Sequence, residues 1–442
     1  MSNVLSKKFH FFTLLKFTAP TIIMMIFMSL YTMVDGVFVS RFVGTNALSA
    51  VNIVYPAMNV VIAVGIMLAT GASAVVAKKM GEGRQDAARS DFSLIVALGT
   101  MIGVVIAVLG LLFAKPLVRA LGANDAIFSY CYQYAMLLLL FTPMAILQML
   151  FQFFFVTAGK PHLGLAVIVI GGCANMVLDY VFIVPMQMGI AGAALATGIG
   201  FSIPALFGLF YFAVFRKGSL YFVRPRWSSE TVLHSCTNGA SEMVTNISTA
   251  ITTYLFNIIM MRHLGEDGVA AITVVLYAQF LLTALYLGYS SGVAPVISYN
   301  HGSGNTKQLR RIFSISIVFL SISSVVLYLT ALCLSAPIVG IFAKVGTNVY
   351  DIAINGFGLF SLSYLFIGIN IFSSGMFTAL SNGKVSAIIS FLRTFVFLVA
   401  AVLLLPQLLG INGVWLSVPI AELLTLFVSI GYLVKYKKVY AY

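Results

Sequence analysis

Long apolar stretches separated by short polar ones run through the whole sequence. Each is long enough to cross a bilayer as a helix, which takes roughly 20 residues. No stretch alternates apolar and polar residues with period two, as the strands of a membrane barrel do. The pattern therefore predicts an all-α polytopic membrane protein. Its twelve predicted transmembrane helices cover residues 13–40, 47–77, 92–114, 129–157, 163–185, 189–215, 232–261, 269–298, 312–336, 351–380, 385–406 and 413–434.

The second half of the sequence repeats the first at an offset of 221 residues, half of the length of 442. The stretch GIAG at 189–192, for example, is matched by GING at 410–413. Six helices in each repeat give both repeats the same orientation, which is typical of parallel-repeat transporters. A channel could also be built in this way, but two bundles around a central cleft are the usual form of an alternating-access carrier. We expect an N-terminal lobe at 1–215, a linker at 216–231 and a C-terminal lobe at 232–442.

Composition and charge agree with a membrane protein. Hydrophobic residues make up 61% of the chain and charged residues 8%, with a mean hydropathy of +1.04, whereas about 25% of a soluble globular protein is charged. Most Lys and Arg residues fall on one side of the predicted membrane, together with both termini, and the positive-inside rule makes that side the cytoplasm. The net charge of +13 needs no nucleic acid, because contact with anionic membrane lipids accounts for it.

The usual motifs of catalysis and cofactor binding do not occur in the sequence. The four cysteines are scattered without a CxxC pair, and there is no HExxH, GxSxG or glycine-lysine phosphate loop. These are the spacings that metal, nucleophile and nucleotide sites need. We therefore expect neither an enzyme nor a bound cofactor.

Four acids lie inside predicted helices, namely Asp35, Asp179, Glu242 and Glu422, whereas the others, Asp91 among them, lie in loops or near helix ends. A charge within the bilayer costs about 2.5–3.5 kcal/mol even on the lenient insertion scale. Each of the four is therefore a functional candidate. The alternative for each is an ion pair that holds helices together.

Two of these acids, both in the N-terminal half, suggest a cation site. Asp35 and Asp179 are each six residues from the outer end of a helix, about 9 Å below the surface at the helical rise. Asn175 lies one turn before Asp179, and Thr197 lies at a similar depth in the next helix. No basic residue in the helices of this half could pair with the carboxylates. Two close carboxylates cannot readily both ionise in a low dielectric, so a proton or Na⁺ is the expected counter-charge, and a buried structural network is the alternative.

The C-terminal half lacks this site, because Phe256 and Ala400 occupy the two equivalent positions. Arg393 and Glu422 lie at matching depth in consecutive helices, which favours a structural ion pair over a role in transport. Glu242 has no evident basic partner, and it could bind a cationic substrate or a second ion. The two halves are therefore expected to have different functions in the protein.

The sequence resembles the multidrug and toxic compound extrusion (MATE) family, in particular its MepA-like bacterial branch, in three stretches: YTMVDGVFVSRFVGTNALSAV, ASAVVAKKMGEGRQDAA and NMVLDYVFIVPMQMGIAGAALAT. The resemblance implies an antiporter of the cytoplasmic membrane that exchanges Na⁺ or H⁺ for amphipathic, often cationic drugs by alternating access. We expect such a protein to act as a monomer on small molecules.

The resemblance also implies roles for individual residues. Pro20 matches the proline at which the first helix bends in some relatives, and Glu242 matches an acid found in the seventh helix of several members. The cation site of bacterial relatives draws its ligands from the first, fifth and sixth helices. Its matching residues here are Tyr31, Asp35, Asn175, Asp179 and Thr197.

Two rival functions follow from the same architecture. A lipid-linked oligosaccharide flippase of the same superfamily could share the twelve-helix plan, but its anionic cargo favours several basic residues in the cleft. Only Arg393 is available within the predicted helices. A pore or a receptor would instead show uncoupled flux or no flux.

Overall fold

The computed structural model describes residues 4–442, apart from the side chains of residues 36, 37, 40, 45 and 48. The described chain is almost entirely helical and contains no β-strand, which confirms the all-α fold. Short π-helical segments occur at Val39–Val43 and Leu392–Phe397. The α-helices are α1 (Phe11–Phe38), α2 (Thr45–Gly81), α3 (Gln85–Leu112), α4 (Ala114–Ala120), α5 (Phe128–Leu140), α6 (Thr142–Thr157), α7 (Pro161–Ile183), α8 (Gly189–Val214), α9 (Ser229–Gly302), α10 (Thr306–Cys333), α11 (Ser335–Phe342), α12 (Asn348–Phe360), α13 (Tyr364–Ala379), α14 (Gly383–Phe391), α15 (Leu398–Leu409) and α16 (Ile411–Tyr440).

The helices of residues 4–442 provide twelve segments that could each cross a membrane. Ten helical segments of the described chain are long and apolar enough to cross a membrane, and α5 and α6 form a further crossing with a bend of 52°. One of the ten, α9, has 74 residues, about 110 Å at the helical rise, whereas the hydrocarbon core is about 30 Å thick. The backbone of α9 breaks at Gly265 (φ 65°, ψ −151°), so α9 crosses twice. The predicted number of transmembrane helices is confirmed.

The two halves of the chain have the same backbone plan. Gly189 and its equivalent Gly410 adopt nearly the same left-handed conformation, with φ of 59° and 58°, which glycine reaches at little steric cost. Each begins a helix immediately after the turn from the preceding one. The short helices α4 and α11, which were not predicted, also stand at equivalent places. The repeat in the sequence is therefore a repeat in the structure, with six crossings in each lobe.

Both described chain ends lie at the same end of the helical bundle. Gln308, near the start of α10, donates a hydrogen bond of 3.2 Å from Nε2 to the carbonyl of Phe9. The ring of Tyr442 packs on that of Phe313, with centroids 4.8 Å apart. We call this end of the bundle the termini side and the opposite end the far side.

The lobes meet closely on the termini side through two equivalent glycine contacts. A side chain at Gly81 of α2 would collide with the carbonyl of Tyr299 in α9, and one at Gly302 would collide with the carbonyl of Lys78. At the 221-residue offset Lys78 corresponds to Tyr299, and Gly81 corresponds to Gly302. The two contacts are therefore related by the axis between the lobes, and each depends on the absence of a side chain.

Buried apolar residues show the same division along the bundle. On the termini side, Val76 of the N-terminal lobe belongs to one continuous cluster with Val296 of the C-terminal lobe. On the far side of the N-terminal lobe, Val54 and Ile190 belong to a separate cluster. The lobes are therefore joined on the termini side, whereas the far side of the N-terminal lobe has an apolar core of its own.

Candidate functional site

Close packing of α7 against α1 and α8 brings the candidate cation-site residues together. A Cβ atom built on Gly172 of α7 would lie 2.5 Å from the ring of Phe27 in α1. On the other side, a Cβ atom on Gly200 of α8 would lie 3.0 Å from the Cβ of Asn175 in α7. Because these two glycines have no side chains, α7 can lie between its neighbours with its polar residues facing both.

The carboxyl groups of Asp35 and Asp179 lie close enough to influence each other. Asp179 is fully buried. No group in the described part of the chain donates a hydrogen bond to either oxygen of Asp179 or to Oδ1 of Asp35. A buried carboxylate without a donor or a positive charge is costly. The pair therefore needs a proton or a cation to be stable in this position.

Neutral oxygen atoms occur on α1 and α7, the helices of the carboxylate pair, and on the neighbouring α8. Tyr31, Asn175 and Thr197 line one narrow cavity between α1, α7 and α8. Asn175 is 2% exposed, and neither atom of its amide has a hydrogen-bond partner among the described residues. Thr197 donates a hydrogen bond of 3.0 Å to the carbonyl of Ala193, which leaves the lone pairs of its hydroxyl oxygen free to accept. Oxygen ligands of this kind suit a small hard cation such as Na⁺.

Two further residues near this site were not identified from the sequence. Gln148 of α6 lines the same cavity, is 3% exposed, and leaves its Oε1 without a donor among the described residues. Tyr134 of α5 is buried beside Asp35 and Asp179. The rule that picks out acids within apolar stretches, because burying a polar group is costly, would have found Gln148 if it had been applied to amides as well.

The C-terminal lobe holds Arg393 and Glu422 in a different arrangement, in which the charged groups are paired with each other. Arg393 donates from Nε to Oε1 of Glu422 at 2.8 Å, and Asn370 donates from Nδ2 to Oε2 of Glu422 at 2.8 Å. Ser429 in turn donates to Oδ1 of Asn370 at 2.9 Å. Arg393 lies in the π-helical segment Leu392–Phe397, a local widening that often occurs at functional places in helices. Glu422 is therefore a buried, fully paired carboxylate, unlike those of the N-terminal lobe.

Glu242 lies apart from both of these clusters. It forms no ion pair within the described chain. The expected role of Glu242 in binding a cationic substrate or a second ion stays a prediction. Its helical turn touches the other lobe, because Asn246 donates to the Glu242 carbonyl and itself accepts a hydrogen bond of 3.0 Å from Asn59 of α2.

Pro20 lies inside α1, and the helix continues on both sides of it. The hydroxyl of the neighbouring Thr21 donates to the carbonyl of Thr18 at 2.6 Å. The same part of α1 packs tightly on α9, where a Cβ atom on Gly288 or Gly292 would collide with it. The assignment of Pro20 as a bending point stays a prediction.

A third polar cluster joins the lobes on the termini side. Asp91 of α3 is 4% exposed, and it is paired with Lys79 of α2. It also accepts a hydrogen bond of 3.1 Å from the hydroxyl of Thr231, near the start of α9. Asp91 was not among the candidates from the sequence, because it lies near the end of a predicted helix. The structure instead makes it a buried contact between the two halves of the chain.

Comparisons with known proteins agree with this architecture. A family model described as MatE matches residues 20–181 and 243–403. The chain is 23% identical over 421 residues to the multidrug export protein MepA of Staphylococcus saprophyticus, covering 92% of this chain and 90% of that protein. It is 22% identical over 422 residues to the protein of the same name from Staphylococcus aureus, at 93% and 91% coverage.

Solved structures with the same fold include transporters in different states. A crystal structure of MATE in complex with MaL6 superposes with a TM-score of 0.94 at 21% identity, covering 100% of this chain and 99% of that one. An outward-facing multidrug resistance MATE family transporter superposes with a TM-score of 0.91 at 22% identity, at 97% and 96% coverage. These likenesses establish the fold.

Proposed function

Because the chain belongs to the MatE family of multidrug and toxic compound extrusion proteins, we propose that it is an efflux transporter for amphipathic, often cationic organic compounds. The names of its relatives, which are multidrug export proteins, support this substrate class. The observation that supports an ion-coupled mechanism is the carboxyl pair of Asp35 and Asp179, since neither oxygen of Asp179 nor Oδ1 of Asp35 has a donor among the described residues, and neither residue belongs to an ion pair there.

The coupling ion in this proposal is Na⁺ or H⁺. Asp35 and Asp179 provide the negative charge that binds it. Asn175 and Thr197 add neutral oxygens, and Tyr31 closes the side of the cavity toward α1. With the ion bound, the two carboxylates no longer repel each other, so the lobe can remain closed around them. When the ion leaves, that repulsion returns and favours a different arrangement of the helices.

Transport then follows from two arrangements of the lobes. We propose lobes at 1–215 and 232–442 that rock about the linker at 216–231, and a termini side that faces the cytoplasm of the cell membrane. A ligand shifts such an equilibrium only by its different affinity for the two states. The contacts on the termini side must therefore separate in each cycle, so that a compound can enter from the cytoplasm.

The flippase alternative receives less support from the same residues. An anionic lipid-linked cargo would need free basic groups in the cleft. Arg393, the basic residue considered for that role, is instead bound to Glu422 at 2.8 Å. We therefore retain the exporter as the proposed function, acting as a monomer.

A reconstituted system tests this proposal directly. Purified protein in liposomes is given a Na⁺ gradient, a proton gradient or neither, and the movement of a fluorescent organic cation is recorded. The proposal predicts transport against the cation gradient with one of the two ions. Movement that stops at equal concentrations on both sides would indicate a pore, and no movement with either ion would contradict the proposed function.

A further inference from the structure

The linker between the lobes is held along α3 by hydrogen bonds. The backbone N–H of Val223 donates to the hydroxyl of Ser93 at 3.0 Å, and that of Arg226 donates to the hydroxyl of Ser90 at 3.0 Å. Since Ser90 and Ser93 are one helical turn apart, the linker follows the helix surface at this point. The two contacts fix the path of the linker backbone without using its side chains.

Aromatic packing holds the beginning of the linker in the same way. The guanidinium of Arg89 lies 4.3 Å above the ring of Tyr221 and donates from Nε to the Ser219 carbonyl at 3.2 Å. The ring of Phe222 stacks on that of Phe92, with centroids 5.1 Å apart. The linker is therefore a docked segment of the lobe, with Leu220 and Phe222 packed inward.

The outward face of the docked linker is basic. Arg216, Lys217, Arg224 and Arg226 are all exposed, and none of them belongs to an ion pair among the described residues. Trp227 follows them with 70% of its surface exposed. Four unpaired positive charges and an exposed indole thus lie on one short segment that cannot fold away from the surface.

We propose that this face of the linker binds the headgroups of acidic phospholipids in the cytoplasmic leaflet. The Ser90 contact lies five residues after the start of α3, about 8 Å along the helix axis, where a membrane helix passes through the headgroup layer. Arginine suits phosphate because its planar fork can donate two hydrogen bonds at once. Tryptophan is enriched at the same depth of the bilayer.

The choice of a lipid over a soluble anion follows from this depth and from the indole. A soluble phosphate compound could bind the positive charges of the linker, but it would leave the side chain of Trp227 exposed to water. Each basic residue near an acidic membrane surface strengthens attachment about fivefold at low ionic strength. The inference rests on the proposed cytoplasmic placement of the termini side, but binding itself can be measured without transport.

Trp227 provides a built-in reporter for the experiment. The chain has two tryptophans, and the other, Trp415, is 3% exposed. The Trp227→Phe variant therefore gives the background emission. Purified protein is placed in nanodiscs of unlabelled phosphatidylcholine to which one nitroxide-labelled lipid is added. The labelled lipid is either phosphatidylglycerol, which is acidic, or phosphatidylcholine, which is zwitterionic, and the nitroxide is near the headgroup in both. We expect the acidic labelled lipid to quench Trp227 at a concentration roughly tenfold lower than the zwitterionic one.

Charge variants then test whether the basic face causes the preference. Arg224→Gln with Arg226→Gln should remove most of the preference for the acidic lipid. Lys437→Gln with Lys438→Gln, which removes two exposed charges from the end of α16, should leave it unchanged. Equal quenching by both lipids in the unmodified protein, or an undiminished preference in the Arg224 and Arg226 variant, would overturn the inference.

Two further arms separate the possible explanations. Millimolar glycerol phosphate should not reduce quenching by the acidic lipid, and if it competes fully, the surface is a site for soluble anions and the inference is wrong. A variant that loses ion-coupled transport, such as Asp35→Asn, should keep the full lipid preference. Failure of the lipid inference and failure of the proposed transport function therefore give different results.

Discussion

The hydroxyl of Thr231, near the start of α9, donates a hydrogen bond of 3.1 Å to Oδ1 of Asp91 in α3, 140 positions earlier in the chain. Asp91 is also paired with Lys79 of α2, which lies 3.3 Å from the Thr231 hydroxyl. The two charged residues belong to the N-terminal lobe, whereas the threonine stands at the end of the predicted linker and already lies in α9, which continues into the C-terminal lobe. When the lobes separate on the termini side, the ion pair can stay intact while Asp91 loses this donor and meets water.

The first prediction concerns this contact. Thr231→Val keeps the side-chain shape and removes the donor, so the arrangement closed on the termini side should lose stability. A hydrogen bond to a charged group contributes about 1.5–3 kcal/mol, which corresponds to a shift of roughly tenfold or more toward the open arrangement. Spin labels are attached at Asp86→Cys and Lys307→Cys, two exposed and equivalent positions, in a protein whose native cysteines have been replaced. The distance distribution between the two labels reports the separation of the lobes.

A matched variant controls for the loss of a hydroxyl from α9. The hydroxyl of Thr237 is exposed and bonds to carbonyls of its own helix, including that of Leu233 at 2.9 Å. Thr237→Val should therefore leave the distance distribution unchanged. Identical distributions in Thr231→Val and the unmodified protein would show that the contact with Asp91 does not hold the lobes together.

The glycine contacts between α2 and α9 give a second prediction. Gly81→Ala places a methyl group against the Tyr299 carbonyl, and Gly302→Ala does the same at the Lys78 carbonyl. Because backbone atoms cannot move aside easily, each substitution should widen the termini side and slow transport severalfold. Gly431→Ala is the control, since a side chain at Gly431 meets nothing within 4 Å. Normal transport by both Gly81→Ala and Gly302→Ala would mean that close approach of the two helices is not required.

A third prediction concerns the ion pair of the C-terminal lobe. Arg393→Met or Glu422→Leu alone leaves a buried charge without its partner, which costs about 3–5 kcal/mol. Each single variant should therefore show a lower melting temperature and a lower folded yield. The double variant should recover much of both, since buried ion pairs can often be replaced by apolar residues. A stable double variant without transport would instead assign the pair a role in coupling.

The number of membrane crossings could be predicted because the length of an apolar stretch is a local property of the sequence. The bend of 52° between α5 and α6 could not, since it depends on the packing around it. The short helices α4 and α11 lie beyond the crossings they follow. They begin where the predicted stretches 92–114 and 312–336 end, and they are too short to be recognised by a search for apolar stretches of membrane-spanning length.

Candidate site residues were recognisable where a charge interrupts an apolar stretch. Asp35 and Asp179 are conspicuous for that reason. Asp91 is not, because a carboxylate near a helix end is ordinary until Thr231 of α9 covers it. Asn370 carries no charge, and its contact with the carboxylate of the C-terminal lobe depends on the orientation of two helices that are distant in the sequence. Long-range contacts of this kind leave no mark in a single sequence.

The carboxylate pair of the N-terminal lobe gives the last prediction. Asp35→Asn keeps the size of the side chain and removes the charge that binds the coupling ion, and Asp179→Asn does the same on α7. Each variant should insert normally, because removing an unpaired charge lowers the cost of insertion. Each should still bind the organic cation but lose gradient-driven efflux by about two orders of magnitude or more. Since both residues bind one ion, the double variant should be little worse than either single variant.

Transport in liposomes at equal protein amount, with binding of the fluorescent cation measured in parallel, decides between the possible roles of Asp35. Asp351→Asn, which changes an exposed acid outside this site, should behave as the unmodified protein does and controls for the loss of a negative charge. Loss of binding together with transport would place Asp35 in the substrate site. Full ion-coupled efflux by Asp35→Asn would make its carboxylate structural. The two carboxylate oxygens of Asp179, which have no partner among the described residues, would then need a counter-charge from another group. The cation-site interpretation would be wrong.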